Sequence, residues 1–255
     1  MGFQGVSYRH VNRDSCQKRR LPQKMDSIEK TKIKRDMLEN DSVRRAVERS
    51  GHSDMLISEN ELLASLDSTL KKRPSKDPIW VFGYGSLIWN PMLSYTRKQP
   101  ALIRGYHRGF YCWSRINRGS PKTPGLVLAL DHGGACRGIA YRLKNETAEK
   151  ELLILWRREM LGKVYVPKWV RAKTELGFVN AITFVIDQSS EAYTGRLCED
   201  RIVSIAMEAV GHYGSCEDYL IETARSFKRE GIPDKKMFLL AEKLLGRREA
   251  SLKAY

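Results

Sequence analysis

Hydrophobic and polar positions divide the chain into a helical part, a strand-rich part and a second helical part. Between residues 78 and 187, β-branched and aromatic residues recur in short runs that are typical of strands. A helical repeat at about 147–161 interrupts these runs, and helical periodicity returns from about residue 199. The segments Asp131–Gly134 and Glu175–Gly177 are typical of hairpin turns. The predicted strands are 78–83, 101–115, 126–131, 137–143, 164–174 and 178–186.

Six short strands with one inserted helix predict an α+β fold. Because closure removes exposed strand edges, we expect the strands to form a compact, closed or nearly closed mixed β-barrel, with helices flanking it on both sides. The clearest of these helices begins at Ser58, which can cap it while Glu61 reaches back. An apolar stripe follows, and Pro74 ends the helix; the stripe consists of Leu62, Leu63, Leu66 and Leu70.

The same patterns predict three parts along the chain. Residues 1–24 are polar, basic and aperiodic, which predicts a disordered basic tail. Residues 25–77 form a predicted helical extension, in which the weak repeat over 26–50 favours one marginal helix or two short ones. Residues 78–255 hold the predicted barrel and the helices that follow it, the last of them over 234–245.

Charge changes this picture little. The 255 residues carry a formal net charge of +15, of which +5 falls on residues 1–80 and +10 on the remainder. A nucleic-acid-binding protein usually concentrates its positive charge on one helix or arm, so this spread disfavours a nucleic-acid partner. A basic surface does favour an anionic small substrate. No apolar run reaches the ~18–20 residues that cross a bilayer, so membrane insertion is not expected.

Cysteines and histidines set the expected compartment and exclude two kinds of site. The cysteine count is odd and no pair has C-x-x-C spacing, which favours a reducing, cytoplasmic location over a disulfide framework or a zinc cluster. The five histidines are scattered, and none forms an H-x-x-x-H pair, so no metal site is expected. The cysteines are Cys16, Cys112, Cys136, Cys198 and Cys216.

The first candidate for chemistry is a glycine-containing loop directly after the first predicted strand. Residues 79–82 suit a buried strand, and Gly83 and Gly85 then allow a sharp turn or a close approach by a ligand. A tight corner with glycines for steric reasons alone is the alternative. Ser86 lies outside a G-x-S-x-G pattern, and the loop lacks the G-K-[ST] ending of a phosphate-binding loop, so a serine nucleophile and a nucleotide site are both disfavoured.

The second candidate is a carboxylate on an apolar helix face. At 100° per residue, Glu159 lies among Leu152, Leu155, Trp156 and Met160, while Arg157 and Arg158 point elsewhere. A buried unpaired charge costs several kcal/mol, so Glu159 needs a reason to be there. One hypothesis is a structural ion pair, for example with Arg142 or Arg171. The other is a carboxylate with a raised pKa that acts as a base.

The loop and several further segments together resemble the ChaC-type γ-glutamylcyclotransferases, in particular the longer bacterial form. The resemblance covers roughly residues 50 to 246. It is carried by Tyr84-Gly85-Ser86-Leu87, Gly105-Tyr106-His107-Arg108, Arg118-Gly119, Gly138-Ile139-Ala140-Tyr141-Arg142, Trp156-Arg157-Arg158-Glu159 and Tyr165-Val166-Pro167.

This resemblance implies an activity and a set of site residues. It implies cleavage of glutathione to 5-oxoproline and Cys-Gly without a cofactor, by attack of the substrate's own α-amine on its γ-carbonyl. Glu159 matches the family's catalytic glutamate and would move the proton. Backbone N–H groups of the loop would stabilise the charge on the attacked carbonyl. The predicted substrate-binding residues are Val81, Phe82, Gly83, Tyr84, Gly85, Ser86, Leu87, Arg118, Tyr165 and Tyr219.

Two further hypotheses compete with this reading of the sequence. One is a cyclotransferase for other γ-glutamyl amino acids or amines. The other is a non-catalytic regulator of a cation transporter, for which a carboxylate on an apolar helix face would have no use. At the level of single residues, Arg118 either holds a substrate carboxylate or is a solvated loop arginine, and Tyr165 is either a pocket residue or a core tyrosine.

Overall fold

The computed structural model describes residues 33–49 and 51–253, so the predicted tail at 1–24 lies outside the described residues. The described chain contains five strands that close into a barrel, with helices before, within and after them. The predicted α+β fold with a mixed barrel is therefore confirmed. The barrel strands are β1 (Trp80–Gly83), β2 (Tyr95–Ser114), β3 (Gly125–Leu143), β4 (Tyr165–Thr174) and β5 (Gly177–Ile186).

The barrel is built on two hairpins that β1 joins. The strand order is β1-β3-β2-β4-β5, and β2 with β3 forms the longest antiparallel pairing. Strands β4 and β5 form the second hairpin through the predicted turn at 175–177. Strand β1 pairs antiparallel with β3 and parallel with β5, where Trp80 lies opposite Ala181. Because β1 has a partner on each side, it closes the barrel next to the loop that follows it.

Two predicted strands form one, and the hairpin turn predicted at Asp131–Gly134 is wrong. Residues 125–143 run continuously along β2, with His132 opposite Tyr106. The glycine pair instead lies at a shift in register, where Gly133 and Gly134 adopt φ of +95° and +70°. These left-handed conformations suit a β-bulge, in which glycine has no steric penalty. From sequence alone, a Gly-Gly pair with this function is indistinguishable from a turn.

The inserted helix α4 (Ala148–Glu159) lies between β3 and β4, as predicted, and covers one side of the barrel. Its apolar residues Leu152, Leu155 and Trp156 are fully buried in one cluster with residues of β1 and β5. The Trp156 ring meets the Phe184 ring edge-on at 5.1 Å between centroids. Burial of each such side chain contributes about 1.5–3 kcal/mol, which fixes the rotation of the helix and directs Glu159.

Within residues 33–49 and 51–79, three α-helices precede the barrel: α1 (Arg35–Glu39), α2 (Ser42–Arg49) and α3 (Glu59–Lys71). The alternative of two short helices before residue 50 is thus the correct one. The capping box of α3 is confirmed, since the Glu61 N–H donates to Ser58 Oγ at 3.2 Å and the Ser58 N–H donates to the Glu61 carboxylate at 2.9 Å. Of the leucine stripe, Leu63 is 44% exposed. It follows Leu62 by one residue, and 100° of rotation turns it toward solvent.

As far as residue 253, three helices follow the barrel: α5 (Glu199–Glu208), α6 (Cys216–Arg229) and α7 (Lys235–Lys253). A two-residue hairpin, β6 (Val210–Gly211) with β7 (Gly214–Ser215), joins α5 to α6. These helices pack on β3 and the loop after β1 around Leu220 and Phe227. Within residues 33–49 and 51–253, no helix combines the length and the apolar character that a membrane span requires. The predicted division of the chain at residue 78 stays a prediction.

Candidate active site

The loop after β1 is held in place by contacts beneath it. It continues into a single 3-10 turn, Ser86–Ile88, whose Leu87 carbonyl accepts a 3.0 Å hydrogen bond from the buried Tyr141 hydroxyl. A Cβ on Gly83 would lie 2.9 Å from the Leu87 Cβ, so this corner accepts only glycine without a shift. The first N–H groups of a helical turn have no acceptor within the turn. The loop therefore presents backbone donors where it leaves the strand.

Glu159 lies at the last position of α4, directly opposite this loop. Its side chain is 16% exposed, because the neighbouring Trp156 and Met160 are buried and the chain turns toward β4 immediately afterwards. Burial raises the pKa of the Glu159 carboxyl above its usual value, and the charge of Arg158 opposes that rise. The result is a carboxylate with increased proton affinity that is still open to the cavity beside it.

The ionic partner of Glu159 is its neighbour in sequence. Arg158 Nε lies 3.0 Å from Glu159 Oε1, so the predicted partners Arg142 and Arg171 are wrong. Arg158 also donates from Nη2 to Ser86 Oγ at 2.8 Å and from Nη1 to the Asn90 carbonyl. The expectation that Arg158 points away from the site is therefore wrong as well. Its Cα lies 100° from that of Glu159 on the helix, but a long arginine side chain can curl back across that angle.

Most of the predicted site residues line one cavity of about 120 Å³. The loop forms one side, α4 with β4 forms another, and the chain after β2 together with α6 forms the rest. Apolar side chains of β3 and β5, among them Phe184, complete the wall. The predicted residues that meet here are Tyr84, Gly85, Ser86, Leu87, Arg118, Glu159, Tyr165 and Tyr219.

Three predicted substrate-binding residues lie elsewhere. Val81 and Phe82 are completely buried in β1 and pack into the core on opposite faces of the strand. Gly83 ends the strand in register with Ile139 of β3. None of the three belongs to the lining of the cavity. They support the loop from below, and we leave them out of the proposed binding site.

Arg118 is a buried cation at the cavity wall, so the solvated-arginine alternative is excluded. It is 7% exposed, and its guanidinium carbon lies 5.7 Å from the Tyr219 ring and 5.9 Å from the Trp89 ring. Among the described residues, no carboxylate lies within 4.0 Å of it. Burial lowers the pKa of Arg118, which shows that its charge has lost hydration. The charge of Asp218 acts on Arg118 only from beyond ion-pair distance. A buried guanidinium that forms no direct ion pair is suited to an anionic group of a ligand.

Tyrosines surround the carboxylate. Tyr84, Tyr165 and Tyr219 all line the cavity, and burial raises the pKa of each hydroxyl, with a smaller contribution from the charge of Glu159. All three therefore stay neutral donors. Tyr219 Oη accepts a 3.1 Å hydrogen bond from the Leu128 N–H, which leaves its own proton to donate. These tyrosines help to shield Glu159 from solvent, and burial is the largest influence on its pKa.

The serine-nucleophile alternative gains no support from the geometry. Ser86 Oγ accepts a hydrogen bond from a guanidinium, which does not activate a hydroxyl, and no histidine stands among the described residues of the lining. Across 33–49 and 51–253, no three His, Cys, Asp or Glu side chains are grouped as metal ligands would be.

Nine residues of the described cavity lining are absent from the predicted site, and four of them matter most here: Arg158, Trp89, Asn117 and Tyr213. The helical periodicity directs Arg158 to another helix face, and no pattern gives Trp89 a role. Asn117 precedes Arg118 without any pattern of its own, and Tyr213 lies in the short connection between β6 and β7. Only Arg158 carried a usable signal, since an arginine next to a carboxylate at a helix end can fold over it.

Comparisons with known proteins agree with this fold. Residues 79–246 match the family model described as ChaC-like protein. Glutathione-specific gamma-glutamylcyclotransferase of Escherichia coli strain K12 is 37% identical over 203 residues, which cover 79% of this chain and 87% of the relative. Glutathione-specific gamma-glutamylcyclotransferase 1 of Homo sapiens is 33% identical over 159 residues, covering 60% and 72% of the two chains.

A solved structure shows the same fold. The crystal structure of a yeast γ-glutamyl cyclotransferase specific to glutathione matches with a TM-score of 0.61 at 23% identity, covering 66% of this chain and 96% of the other. The segment that matches the family model spans well over half of the chain and includes both the loop and Glu159. The resemblance seen in the sequence is therefore confirmed, and the chain belongs to the ChaC-like protein family.

Proposed function

We propose that this chain is a γ-glutamylcyclotransferase that cleaves glutathione to 5-oxoproline and Cys-Gly. The observation that carries the proposal is the placement of Glu159, a largely buried carboxylate that faces a loop of backbone donors across a small cavity. The relatives named as glutathione-specific enzymes support the choice of substrate. Membership in the family supports the reaction type.

The reaction uses only atoms of the substrate. The α-amine nitrogen attacks the γ-carbonyl carbon and closes a five-membered ring, and the bond from that carbon to the cysteine nitrogen breaks. Glu159 takes a proton from the attacking amine and returns it to the leaving nitrogen. Because burial raises the pKa of Glu159, its proton affinity moves closer to that of the amine, whose pKa is about 8 in a free peptide. Water is not a reactant in this cyclisation.

The loop supplies the second requirement, which is stabilisation of the negative charge on the attacked carbonyl oxygen. Backbone N–H groups at the start of the 3-10 turn are fixed by the contacts under Leu87 and need no reorganisation during the reaction. Arg158 ties the turn to α4 through Ser86 Oγ, so the donors and the base keep a constant separation. This constancy holds the amine and the carbonyl together, which is a proximity effect.

Arg118 and Tyr219 supply the binding contacts in this proposal. The Arg118 guanidinium takes a carboxylate of the substrate, since it is buried and no described carboxylate lies within 4.0 Å of it. The Tyr219 hydroxyl donates to an acceptor of the substrate, because its oxygen already accepts from the backbone. Tyr165 and Tyr84 complete a low-dielectric wall near the base.

The test is direct. The protein is incubated with reduced glutathione, and 5-oxoproline and Cys-Gly are measured in equal amounts. The matched variants are Glu159→Gln, which should abolish release, and Glu149→Gln, an exposed glutamate on the same helix, which should not. γ-Glutamylcysteine and γ-glutamylalanine test the alternative of a broader γ-glutamyl substrate range. Absence of 5-oxoproline from all three peptides would contradict the proposed activity.

A reducing compartment such as the cytoplasm completes the proposal. The described cysteines Cys112, Cys136, Cys198 and Cys216 are free thiols, and three of them are buried. Burial raises the pKa of the Cys112 thiol to about 12, so this neighbour of the site stays protonated. Reduced glutathione is abundant where such thiols persist, which agrees with the location expected from the sequence.

A further inference from the structure

Two polar atoms of the cavity wall have no partner in the described part of the chain. Tyr213 is 6% exposed and its hydroxyl makes no hydrogen bond, and the buried Oδ1 of Asn117 accepts none. Both residues line the cavity that holds Glu159. Buried polar groups in native proteins are nearly always paired. Two unpaired ones in the same cavity indicate a ligand that supplies a donor for Asn117 and an acceptor or donor for Tyr213.

The two residues are locked together by backbone contacts. The Tyr213 N–H donates to the Asn117 carbonyl at 3.1 Å, and the His212 N–H donates to the Ile116 carbonyl at 2.8 Å. A Cβ on Gly211 would lie 2.5 Å from the backbone nitrogen of Arg118, so only glycine lets these two backbone segments approach so closely. The unpaired atoms therefore belong to a rigid wall and do not result from a loose loop.

The helices before the barrel build the other side of this wall. The Tyr213 ring packs in one cluster with Leu38 and Val43, and Ile33 lines the cavity itself. Arg35 anchors this segment with two hydrogen bonds to the Glu151 carboxylate, at 2.7 and 2.8 Å. Tyr213 thus has a fixed position that depends on the N-terminal helices.

Asn117 and Tyr213 lie on other elements of the cavity wall than the base. Asn117 is in the chain after β2 and Tyr213 is in the connection between β6 and β7, whereas Glu159 ends α4 and the loop follows β1. In the proposed function the reacting amine and γ-carbonyl must lie at Glu159 and the loop. The part of the substrate that reaches Asn117 and Tyr213 is therefore the leaving portion.

We infer that Asn117 and Tyr213 form a subsite for the second peptide unit of a γ-glutamyl tripeptide, with the adjacent Arg118 holding the terminal carboxylate. A peptide N–H fits the Asn117 acceptor, and a peptide carbonyl accepts from the Tyr213 hydroxyl. A γ-glutamyl dipeptide or amine lacks this unit and would leave both atoms unpaired, which weakens its binding. The inference rests on the proposed function and adds to it a physical basis for selecting tripeptides.

The experiment compares two ligands that differ only in the C-terminal glycine. Reduced glutathione and γ-glutamylcysteine are titrated calorimetrically into Glu159→Gln, a background that should bind without turnover. Tyr213→Phe and Asn117→Ala are each added to this background. Tyr95→Phe serves as the matched control, since Tyr95 is 42% exposed and lies outside the cavity. Melting temperatures are recorded for every variant.

We expect Tyr213→Phe to weaken glutathione binding by about 2- to 12-fold, the effect of one hydrogen bond, and to change γ-glutamylcysteine binding less than twofold. Asn117→Ala should likewise weaken glutathione binding more than γ-glutamylcysteine binding. Equal losses of affinity for both ligands would overturn the inference, because the two residues would then contact the γ-glutamyl group that the ligands share. Unchanged glutathione binding in both variants would also overturn it. If γ-glutamylcysteine binds too weakly to measure, the loss for glutathione decides the question.

Failure of the proposed function is distinguishable from failure of this inference. Suppose that the unsubstituted protein releases 5-oxoproline from glutathione, and that neither substitution changes the ratio of the glutathione and γ-glutamylcysteine affinities. Then only the subsite is wrong. If the unsubstituted protein releases none, the reaction assigned to the cavity is wrong and the subsite falls with it. Removal of an unpaired hydroxyl should not lower the melting temperature, so a folded Tyr213→Phe protein is expected.

Discussion

Replacement of Glu159 by glutamine separates the two hypotheses for this residue. Glutamine keeps the size and polarity of the side chain but cannot take a proton from the amine. The loss of a positioned general base lowers turnover by about 10²- to 10⁴-fold. We expect kcat for 5-oxoproline release to fall within or beyond that range, which corresponds to about 2.7–5.4 kcal/mol of activation free energy.

The effect on stability follows from the pKa of the same group. Breaking a buried ion pair usually costs about 3–5 kcal/mol, since one charge is left without a partner. Here Arg158 keeps Ser86 Oγ and the Asn90 carbonyl as acceptors when the carboxylate is removed. Burial outweighs the attraction of Arg158 and raises the pKa of Glu159, so ionised Glu159 destabilises the fold at neutral pH relative to a neutral side chain. We expect the free energy of unfolding to change by less than about 1 kcal/mol at pH 7.5.

The sign of this linkage gives a further check on the same variant. A carboxyl group with a raised pKa in the folded state loses its stabilising contribution as pH rises through that value. Glu159→Gln should remove this part of the pH dependence, so the variant gains relative stability from pH 4.5 upward. Thermal unfolding at several pH values measures it, with Glu149→Gln as the control. A folded Glu159→Gln protein with more than a tenth of the original turnover would refute the role of base. A loss of activity together with a drop of more than about 8 °C in melting temperature would instead assign Glu159 to the ion pair.

Three further outcomes are expected. Gly85→Val should abolish turnover, because the new Cβ would lie 3.3 Å from the Tyr219 hydroxyl and the valine methyl groups would enter the cavity. Ser86→Ala should lower kcat less than tenfold. Steady-state kinetics measures both, and inactivation by Ser86→Ala would support a catalytic role for the hydroxyl. Arg158→Gln should move the acid limb of the kcat/KM profile to higher pH, since Arg158 lowers the pKa of Glu159, and an unmoved limb would show that another group titrates there. A chain that starts at Ile79 should aggregate or melt earlier than the full chain, because it loses the helices that cover the barrel; equal stability would contradict that packing.

The barrel was predictable because its strands and the inserted helix carry strong local patterns. Periodicity placed α4 within two residues and gave the capping box of α3 correctly. It failed at Asp131–Gly134, where two glycines form a bulge inside one long strand. A turn and a bulge demand the same conformational freedom, so local sequence cannot separate them. The pairing of β3 with β2 determines that these glycines form a bulge, and that pairing depends on the whole sheet.

The candidate site divides in the same way. Glu159 and the glycine loop were found because each breaks a local rule, a charge on an apolar face and two glycines after a strand. The sequence indicated Arg118 as a candidate but not its burial, since the rings of Trp89 and Tyr219 that lie near its guanidinium come from distant segments. Asn117 and Tyr213 obey every local rule, and their lack of partners exists only in the assembled cavity.

Arg158 explains how one side chain can adjust the base and the loop together. A carboxylate that is buried without a counter-charge would stay protonated at neutral pH and could not accept a proton. A solvent-exposed carboxylate in an ion pair would have too low a pKa to take a proton from an amine. Arg158 lies between these limits, because it opposes the effect of burial on Glu159 while its other nitrogens bind Ser86 Oγ and the Asn90 carbonyl. Movement of the loop would withdraw these acceptors and shift the guanidinium relative to the carboxylate. In the proposed mechanism, one side chain therefore links the proton affinity of Glu159 to the position of the loop that supplies the backbone donors.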